Sequence, residues 1–123
     1  MQRQGLIIMI SEKNKATRIM KELIGYFLEH QYYQFDVSFQ LDREKFELTI
    51  TTPSPDIPEH FNRLLSDLNT EREVEIDEYY NALLGGHGTD HDYSLLGKAI
   101  DYATLEHKEG LLTLKICRKI GFS

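Results

Sequence analysis

The clearest pattern in the chain is a series of apolar residues that recur at three- and four-residue intervals between positions 16 and 28. Residues with this spacing fall on one face of an α-helix, which can then pack against a core. The apolar positions are Ala16, Ile19, Met20, Leu23, Ile24, Phe27 and Leu28. The short run from Gly5 to Ile10 is rich in β-branched residues, so we predict a buried or edge strand there that leads into the helix, with Ser11 or Asn14 as the helix cap.

Alternation of apolar and polar residues follows at positions 35–41 and again at 46–51. A period of two places one side of each strand against a core and the other side in water. Because only the four polar residues 42–45 separate the two segments, we predict an antiparallel hairpin. The next segment, 52–58, carries all three prolines, and we expect a stiff loop that neither continues the strand nor forms a helix.

The second half of the chain shows the same two periodicities. Apolar residues at helical spacing predict three further helices, at 61–68, at 76–84 with an end at Gly85 and Gly86, and at 95–103. Alternation at 112–116 predicts a final strand, preceded by a short strand near 103–107 and a turn at 108–110.

The predicted strands each have one apolar and one polar face. Strands of a sheet that is covered on both sides are apolar nearly throughout, so we expect helices on one face only. We therefore predict a single domain over residues 1–123 with an α/β fold of the α+β type. Its architecture is a two-layer sandwich in which helices cover one face of a mixed or antiparallel sheet of about five strands.

Composition narrows the classes of partner. The chain has 14 Lys and Arg against 20 Asp and Glu, and the basic residues are scattered, so nucleic acid is not an expected partner. The one cysteine, Cys117, cannot form an internal disulfide, which favours a reducing compartment, and we assign it no role. The longest apolar run, Leu6 to Ile10, is far shorter than the ~20 residues of a membrane helix. We therefore expect a cytoplasmic protein with no membrane contact.

The stretch Gly85-Gly86-His87-Gly88-Thr89-Asp90-His91-Asp92 has the most unusual composition. Glycines before a helix expose amide N–H groups that can hold a phosphate, but Asp90 and Asp92 would repel one unless a metal bridged them. A flexible connection capped by an Asp is the other interpretation. His87 and His91 could hold a divalent metal only in a helical segment, and since zinc sites need three or four placed ligands, we predict no metal site.

Two residues of the predicted first helix lie beside its apolar stripe. Glu22 could face a cleft as a general base or lie along the solvent edge. Tyr26, one turn later, could pack against whatever fills such a cleft. The residues alone leave both interpretations open.

The segment from Glu22 to His30 resembles the first motif of the GHKL (histidine kinase-like) ATPase superfamily, in particular that of the small bacterial anti-sigma-factor serine kinases. In that motif a Glu acts as base, an Asn four residues later binds magnesium, and Glu-His often follows. Glu22, Glu29 and His30 match the motif, and Tyr26 stands in place of the Asn.

The proline-rich segment is similar to the Asp-x-Gly-x-Gly-Ile-Pro box of the same family, whose Asp recognises the adenine amino group. Thr52 stands in place of that Asp, and Ser54 and Asp56 stand in place of the two glycines. Gly85 to Gly88, with the helix and two strands that follow, resembles the glycine-rich phosphate box.

The resemblance spans most of the chain and implies a histidine kinase-like ATPase fold with a degenerate nucleotide site. The positions it places in that site are Tyr26, Thr52, Ser54, Asp56, Gly85, Gly86 and Gly88, with Glu22 as the base only if the protein is active. A tyrosine cannot replace a magnesium-binding amide oxygen. A neutral threonine hydrogen bond is worth about 1 kcal/mol, against about 1.5–3 kcal/mol for the charge-assisted bond of an Asp.

We therefore hypothesise a regulatory protein-binding module of bacterial signalling that uses no cofactor and resembles an anti-sigma-factor kinase. Its partner would be a sigma factor or an anti-anti-sigma-like regulator. Whether the chain also forms a homodimer is left open by the sequence. The rival hypothesis is an active serine kinase or ATPase that retains Mg-ATP through Glu22, the glycine loop and either Asp90 or Asp92. A third is a small-molecule binder that uses Tyr26 as an aromatic wall.

Overall fold

The computed structural model describes residues 3–69, 94–97 and 99–120. Its first element is a 27-residue helix, α1, over Arg3–Glu29. The prediction of a strand from Gly5 to Ile10 is therefore wrong, and Ser11 and Asn14 lie inside the helix and not at its cap. Isoleucine disfavours a helix by less than about 0.7 kcal/mol per residue, and no proline interrupts this stretch, so the helix continues through it.

The predicted apolar face of α1 is confirmed except at Leu28, which is 46% exposed. Its most buried positions, each at most 2% exposed, are Ala16, Ile19, Leu23 and Phe27. The helix ends where Gln31 adopts a φ of 69°, and the N–H of Tyr32 then bonds to the Phe27 carbonyl at 2.9 Å. This left-handed C-terminal cap turns the chain back toward the sheet.

The sheet has four strands, which are β1 (Asp36–Leu41), β2 (Lys45–Pro53), β3 (Tyr102–Lys108) and β4 (Leu111–Lys119). Their order is β1-β2-β4-β3, and every neighbouring pair is antiparallel. The described residues therefore contain four strands and not about five, because the predicted first strand is helical. An α+β fold on an antiparallel sheet is confirmed, whereas the histidine kinase-like fold stays a prediction.

Both predicted hairpins are present, and each turn has an identifiable cause. In the β1–β2 turn, Oδ1 of Asp42 accepts hydrogen bonds from the backbone N–H groups of Glu44 and Lys45 at 2.8 and 2.9 Å. In the β3–β4 turn, Glu109 and Gly110 have φ values of 54° and 77°, the left-handed pair that a tight two-residue hairpin requires.

β2 continues through Thr52 to Pro53, so the prediction that residues 52–58 cannot continue a strand is wrong at its first two positions. The backbone bond from Asp42 N–H to Lys45 O shows that the odd-numbered residues of β2 direct their N–H groups toward β1. β1 begins opposite Thr51, so none of the described strands lies where the N–H of Pro53 would point. Proline is tolerated there because the ladder loses no hydrogen bond.

Helix α2 (Glu59–Leu68) follows the loop and confirms the helix predicted at 61–68. Phe61, Leu64 and Leu68 are its buried residues. The predicted helix at 76–84 and the glycine-rich stretch lie outside the described residues.

Helix α3 covers only Ser94–Gly97, so the helix predicted to reach Ala103 ends early. In a longer helix the Ala99 carbonyl would bond to the N–H of Ala103. Here that carbonyl accepts Nη1 of Arg118 at 2.6 Å, and the Ala103 N–H donates to Oδ1 of Asn69 at 2.9 Å. Ala103 lies on β3 as a result. Ala99 is buried as the helical spacing predicts, but it lies in a turn and not in a helix.

The two faces of the sheet differ in chemistry. The core-facing positions of the two central strands, each at most 1% exposed, are Phe46, Leu48, Ile50, Leu112, Leu114 and Ile116. On the other face, the carboxylate of Glu47 lies 3.5 Å from Nζ of Lys45 and 3.7 Å from Nζ of Lys115. These solvated pairs contribute little to stability, so the fold is held by what α1 and α2 bury on the inner face.

One charged residue interrupts the apolar side of β4. Arg118 is 1% exposed, and its Nε and Nη2 donate to the two carboxylate oxygens of Glu12 at 2.8 and 2.9 Å. Glu12 is 7% exposed, and Nζ of Lys15 lies 3.9 Å from it. This bidentate pair fixes the first half of α1 to the end of β4.

None of the described helices is long and apolar enough to cross a membrane.

Candidate functional site

A polar cleft of about 300 Å³ lies between the C-terminal end of α1 and the first turns of α2. We call it the histidine cleft; its lining residues are Tyr26, Glu29, His30, His60, Arg63, Leu64 and Asp67. A depression of about 400 Å³ on the β3–β4 hairpin is larger, but half-buried or exposed side chains of the outer sheet face line it. The histidine cleft is the one with buried polar atoms in its wall.

Tyr26 and His60 join the two walls of the cleft. The Tyr26 hydroxyl lies 2.9 Å from the His60 carbonyl oxygen and 2.7 Å from Nδ1 of the same residue. A carbonyl only accepts, so the hydroxyl donates its single hydrogen there, and Nδ1 of His60 then donates to the hydroxyl oxygen. This assignment places the proton of the neutral imidazole on Nδ1 and leaves Nε2 as an acceptor.

His30 adds a second imidazole to the cluster. Its ring stacks on that of His60 with a centroid distance of 4.0 Å and an interplanar angle of 8°, and it lies 4.3 Å from the ring of Tyr26. Tyr26 and His30 are four residues apart on α1, which places them on the same side of the helix. Phe61 supports the cluster from below, since its ring centroid lies 5.6 Å from that of Tyr26.

The environment shifts the titration of two of these groups. Burial raises the pKa of the Tyr26 hydroxyl well above its usual range, so it stays protonated and neutral. Burial, and to a smaller extent the positive charges of His30 and Arg63, lower the pKa of His60 below its ordinary value of 6.5. The tyrosine–histidine pair is therefore neutral at pH 7.

The rim of the cleft carries charges of both signs. Glu29 and Asp67 contribute carboxylates, and Arg63 contributes a guanidinium. Within the described ranges, no group of three or more His, Cys, Asp or Glu side chains is arranged to hold a metal ion. The cleft offers a neutral hydrogen-bonding wall and a mixed polar rim, which can recognise a polar group through hydrogen bonds.

The structure places two of the sequence-predicted residues on the cleft side of α1. Tyr26 is 6% exposed and forms part of the cleft wall. Glu22, one turn earlier, is half-buried and is not among the lining residues.

Of the predicted adenine-box residues, Thr52 lies at the end of β2 and Ser54 and Asp56 lie in the loop that follows, and none of them lines the cleft. Thr52 is 1% exposed, and its hydroxyl donates to the Gln34 carbonyl at 2.8 Å. Ser54 is 6% exposed, and its hydroxyl donates to the Asp56 carbonyl at 2.7 Å. Both hydroxyls therefore hold local backbone in place. The phosphate-box residues Gly85, Gly86 and Gly88 lie outside the described residues.

Sequence reasoning missed His60 and Arg63 as site residues. The spacing of Tyr26 and His30 predicts one wall of the cleft, because it follows from helix geometry. His60 lies 34 residues after Tyr26, and no local periodicity links the two.

Comparison with models of known protein families, with curated proteins and with solved structures finds no match to this chain.

Proposed function

We propose that the protein is a regulatory protein-binding module that resembles the anti-sigma-factor kinases and has a nucleotide pocket unable to hold Mg-ATP. The order of elements supports the proposal: a helix with the first motif, a hairpin, a proline-rich loop, a second helix and a final hairpin follow one another as the resemblance implies. The observation that carries it is that Tyr26, which stands at the position of the magnesium-binding Asn, is buried and hydrogen-bonded to His60.

Tyr26 has the wrong chemistry and the wrong surroundings for a magnesium ligand. Mg²⁺ prefers carboxylate, carbonyl or water oxygens at about 2.0–2.1 Å in octahedral geometry. The Tyr26 hydroxyl is protonated; it donates to the His60 carbonyl and accepts from Nδ1 of His60. Its ring is 6% exposed and fills the space between α1 and α2, so a metal–phosphate group would have to displace it.

Thr52 supports the same conclusion at the position that matches the adenine-binding Asp. At 1% exposure it presents no surface to a ligand, and its hydroxyl proton is used by Gln34. An adenine amino group would have to expose this side chain and break the bond, without gaining the charge that strengthens the family's contact.

An exposed aromatic side chain favours a protein partner. Tyr33 is 75% exposed, although it is large. Tyrosine is enriched in protein–protein interfaces. By the resemblance, the partner class is a sigma factor or an anti-anti-sigma-like regulator in the cytoplasm.

A thermal-shift titration tests the nucleotide half of the proposal. A ligand at a hundred times its dissociation constant stabilises a fold by about 2.7 kcal/mol, so a bound nucleotide would raise the melting temperature measurably. We expect no change at millimolar Mg-ATP, with magnesium alone as the reference. A saturable rise that requires both ATP and magnesium would overturn the proposal in favour of the active-kinase hypothesis.

Purification of the tagged chain from its native cells tests the partner half. We expect a stoichiometric protein partner that dissociates when Tyr33 is changed to Ser, while the matched change of exposed Ile57 to Ser leaves the complex intact. Recovery of the chain alone would count against a protein-binding role.

A further inference from the structure

Strand β1 forms one edge of the sheet. Among the described residues it pairs only with β2, and its register from Asp36 to Leu41 is continuous, with no bulge. The strand also lacks lysine and proline, which proteins commonly use to block edge pairing.

The hydrogen-bonding pattern shows which backbone groups of β1 face outward. The Asp42 N–H bonds to the Lys45 carbonyl at 3.0 Å, so the even-numbered residues of β1 direct their backbone groups toward β2. The alternation leaves the N–H and C=O groups of Val37, Phe39 and Leu41 pointing away from the sheet.

The opposite edge of the sheet is capped at its start. On β3, the Ala103 N–H donates to Oδ1 of Asn69 at 2.9 Å, and the Ala103 carbonyl accepts Nδ2 of Asn69 at 3.0 Å. This side-chain amide occupies the outward groups as a neighbouring strand would, and α2 packs against the same strand. Asn69 and α2 therefore obstruct the addition of a strand at the start of β3.

The β1 edge also carries exposed apolar side chains. Val37 and Phe39 lie opposite Ile50 and Leu48, on the inner face of the sheet, yet they are 40% and 45% exposed. Apolar groups on an inner face that remain in water are typical of a surface that another chain covers.

Helix α1 extends this apolar surface. Its Tyr26 side contacts α2, which lies toward β3, so its other side faces the β1 edge. That side carries Met20, Ile24 and Leu28 at four-residue spacing, and Leu28 is 46% exposed. We call these residues of α1, together with Val37 and Phe39 of β1, the apolar strip.

The sequence of β1 is self-complementary in one antiparallel register. When two copies pair about Ser38, Val37 faces Phe39 of the other copy and Asp36 faces the neutral amide of Gln40. Pairing one position later, about Phe39, sets Asp36 opposite Asp42, and like charges across a strand pair are unfavourable. Pairing about Val37 leaves Leu41 without a strand residue opposite it.

We infer that the β1 edge is the dimer interface of this protein, where β1 of a second copy pairs antiparallel about Ser38 and joins the two sheets into one. The two-fold arrangement keeps the helix layers on the same side and buries the apolar strips against each other. This interface is independent of the nucleotide pocket, so the inference and the proposed function can fail separately.

Disulfide trapping tests the register. In the proposed pairing, Ser38 faces Ser38 of the second copy in a non-hydrogen-bonded pair, where Cα atoms lie about 4.5 Å apart. That distance falls within the disulfide range of about 4.4–6.8 Å. We expect Ser38→Cys to form a covalent dimer on mild oxidation, whereas the buried Cys117 of the unchanged protein does not.

Gln40→Cys is the matched control. In the same register two copies of position 40 are offset by four residues, about 13 Å along the strand, which no disulfide can span. Equal trapping of both variants, or no trapping of Ser38→Cys, would overturn the inference.

Sedimentation of the unmodified chain tests the dimer itself. We expect a concentration-dependent dimer that Val37→Lys converts to a monomer, because the introduced charge lies within the apolar strip at the edge. Thr104→Lys, which adds the same charge to the exposed side of the other edge strand, should leave the dimer intact. A monomer at all concentrations up to millimolar, or a dimer that Val37→Lys does not weaken, would refute the interface.

Discussion

Two polar clusters connect α1 to the rest of the molecule, and they differ in how far their side chains are shielded from solvent. Near the start of the helix, Glu12 and Arg118 are 7% and 1% exposed and share two hydrogen bonds of 2.8 and 2.9 Å. At its end, Tyr26 and His60 are paired at 2.7 Å but line an open cleft beside the exposed His30.

The difference separates a structural contact from a candidate site. The buried carboxylate and guanidinium satisfy each other and present no surface, so their contribution is to hold α1 on β4. In the histidine cleft, His30 is exposed and His60 is half-buried, so the cluster remains in contact with water. A ligand or partner can therefore use the second cluster and not the first.

Removal of one member of the ion pair should have the largest effect. We expect Arg118→Met to lower the free energy of unfolding by about 3–5 kcal/mol, because the buried Glu12 would lose both hydrogen bonds and keep only the 3.9 Å contact with Lys15. Urea unfolding followed by circular dichroism measures this loss.

The double variant Glu12→Leu with Arg118→Met provides the control. Replacement of a whole buried pair by apolar residues is often neutral, so the double variant should regain most of the stability that the single one loses. If Arg118→Met alone proved as stable as the unchanged protein, the pair would not fasten α1 to the sheet.

The secondary structure around both clusters could be predicted where a local period persists. The stripe on α1 and the alternation in β2 each repeat over several turns or residues, and both predictions are confirmed at Leu23, Phe27 and Leu48. The first turns of α1 were predicted wrongly, because β-branched residues favour strands only weakly and the continuing helix outweighs that preference.

The partners within each cluster could not be predicted. Arg118 continues the inward alternation of β4, and a charge at such a position indicates a buried partner, but Glu12 lies 106 residues earlier in the chain. Likewise, the contact between Tyr26 and His60 depends on how α2 docks against α1. Such docking is set by tertiary packing, which no periodicity in the sequence describes.

A smaller effect is expected when the tyrosine–histidine bond is removed. Tyr26→Phe keeps the ring but deletes the hydroxyl, so Nδ1 and the carbonyl of His60 lose one partner, at a cost of about 1 kcal/mol in unfolding free energy. Tyr33→Phe is the matched control: at 75% exposure its hydroxyl is solvated, and we expect a change within about 0.5 kcal/mol. Equal stabilities for the two variants would mean that the bond does not hold the cleft together.

The smallest expected effect is the dependence of stability on pH that His60 contributes. Since the pKa of folded His60 lies below 6.5, the unfolded chain takes up a proton first as the pH falls, and it then binds more protons than the folded chain. Stability should therefore be unaffected by His60 well above pH 6.5 and should decline as the pH falls through the folded pKa.

Replacement of His60 by Gln should remove this decline, and replacement of His30 by Gln should reduce it by removing the positive charge that stacks on His60. Urea unfolding at a series of pH values measures the difference, and nuclear magnetic resonance of the His60 ring protons gives the pKa directly. Parallel pH curves for the His60→Gln variant and the unchanged protein, or a His60 pKa above the ordinary value, would show that the cleft does not disfavour a protonated imidazole.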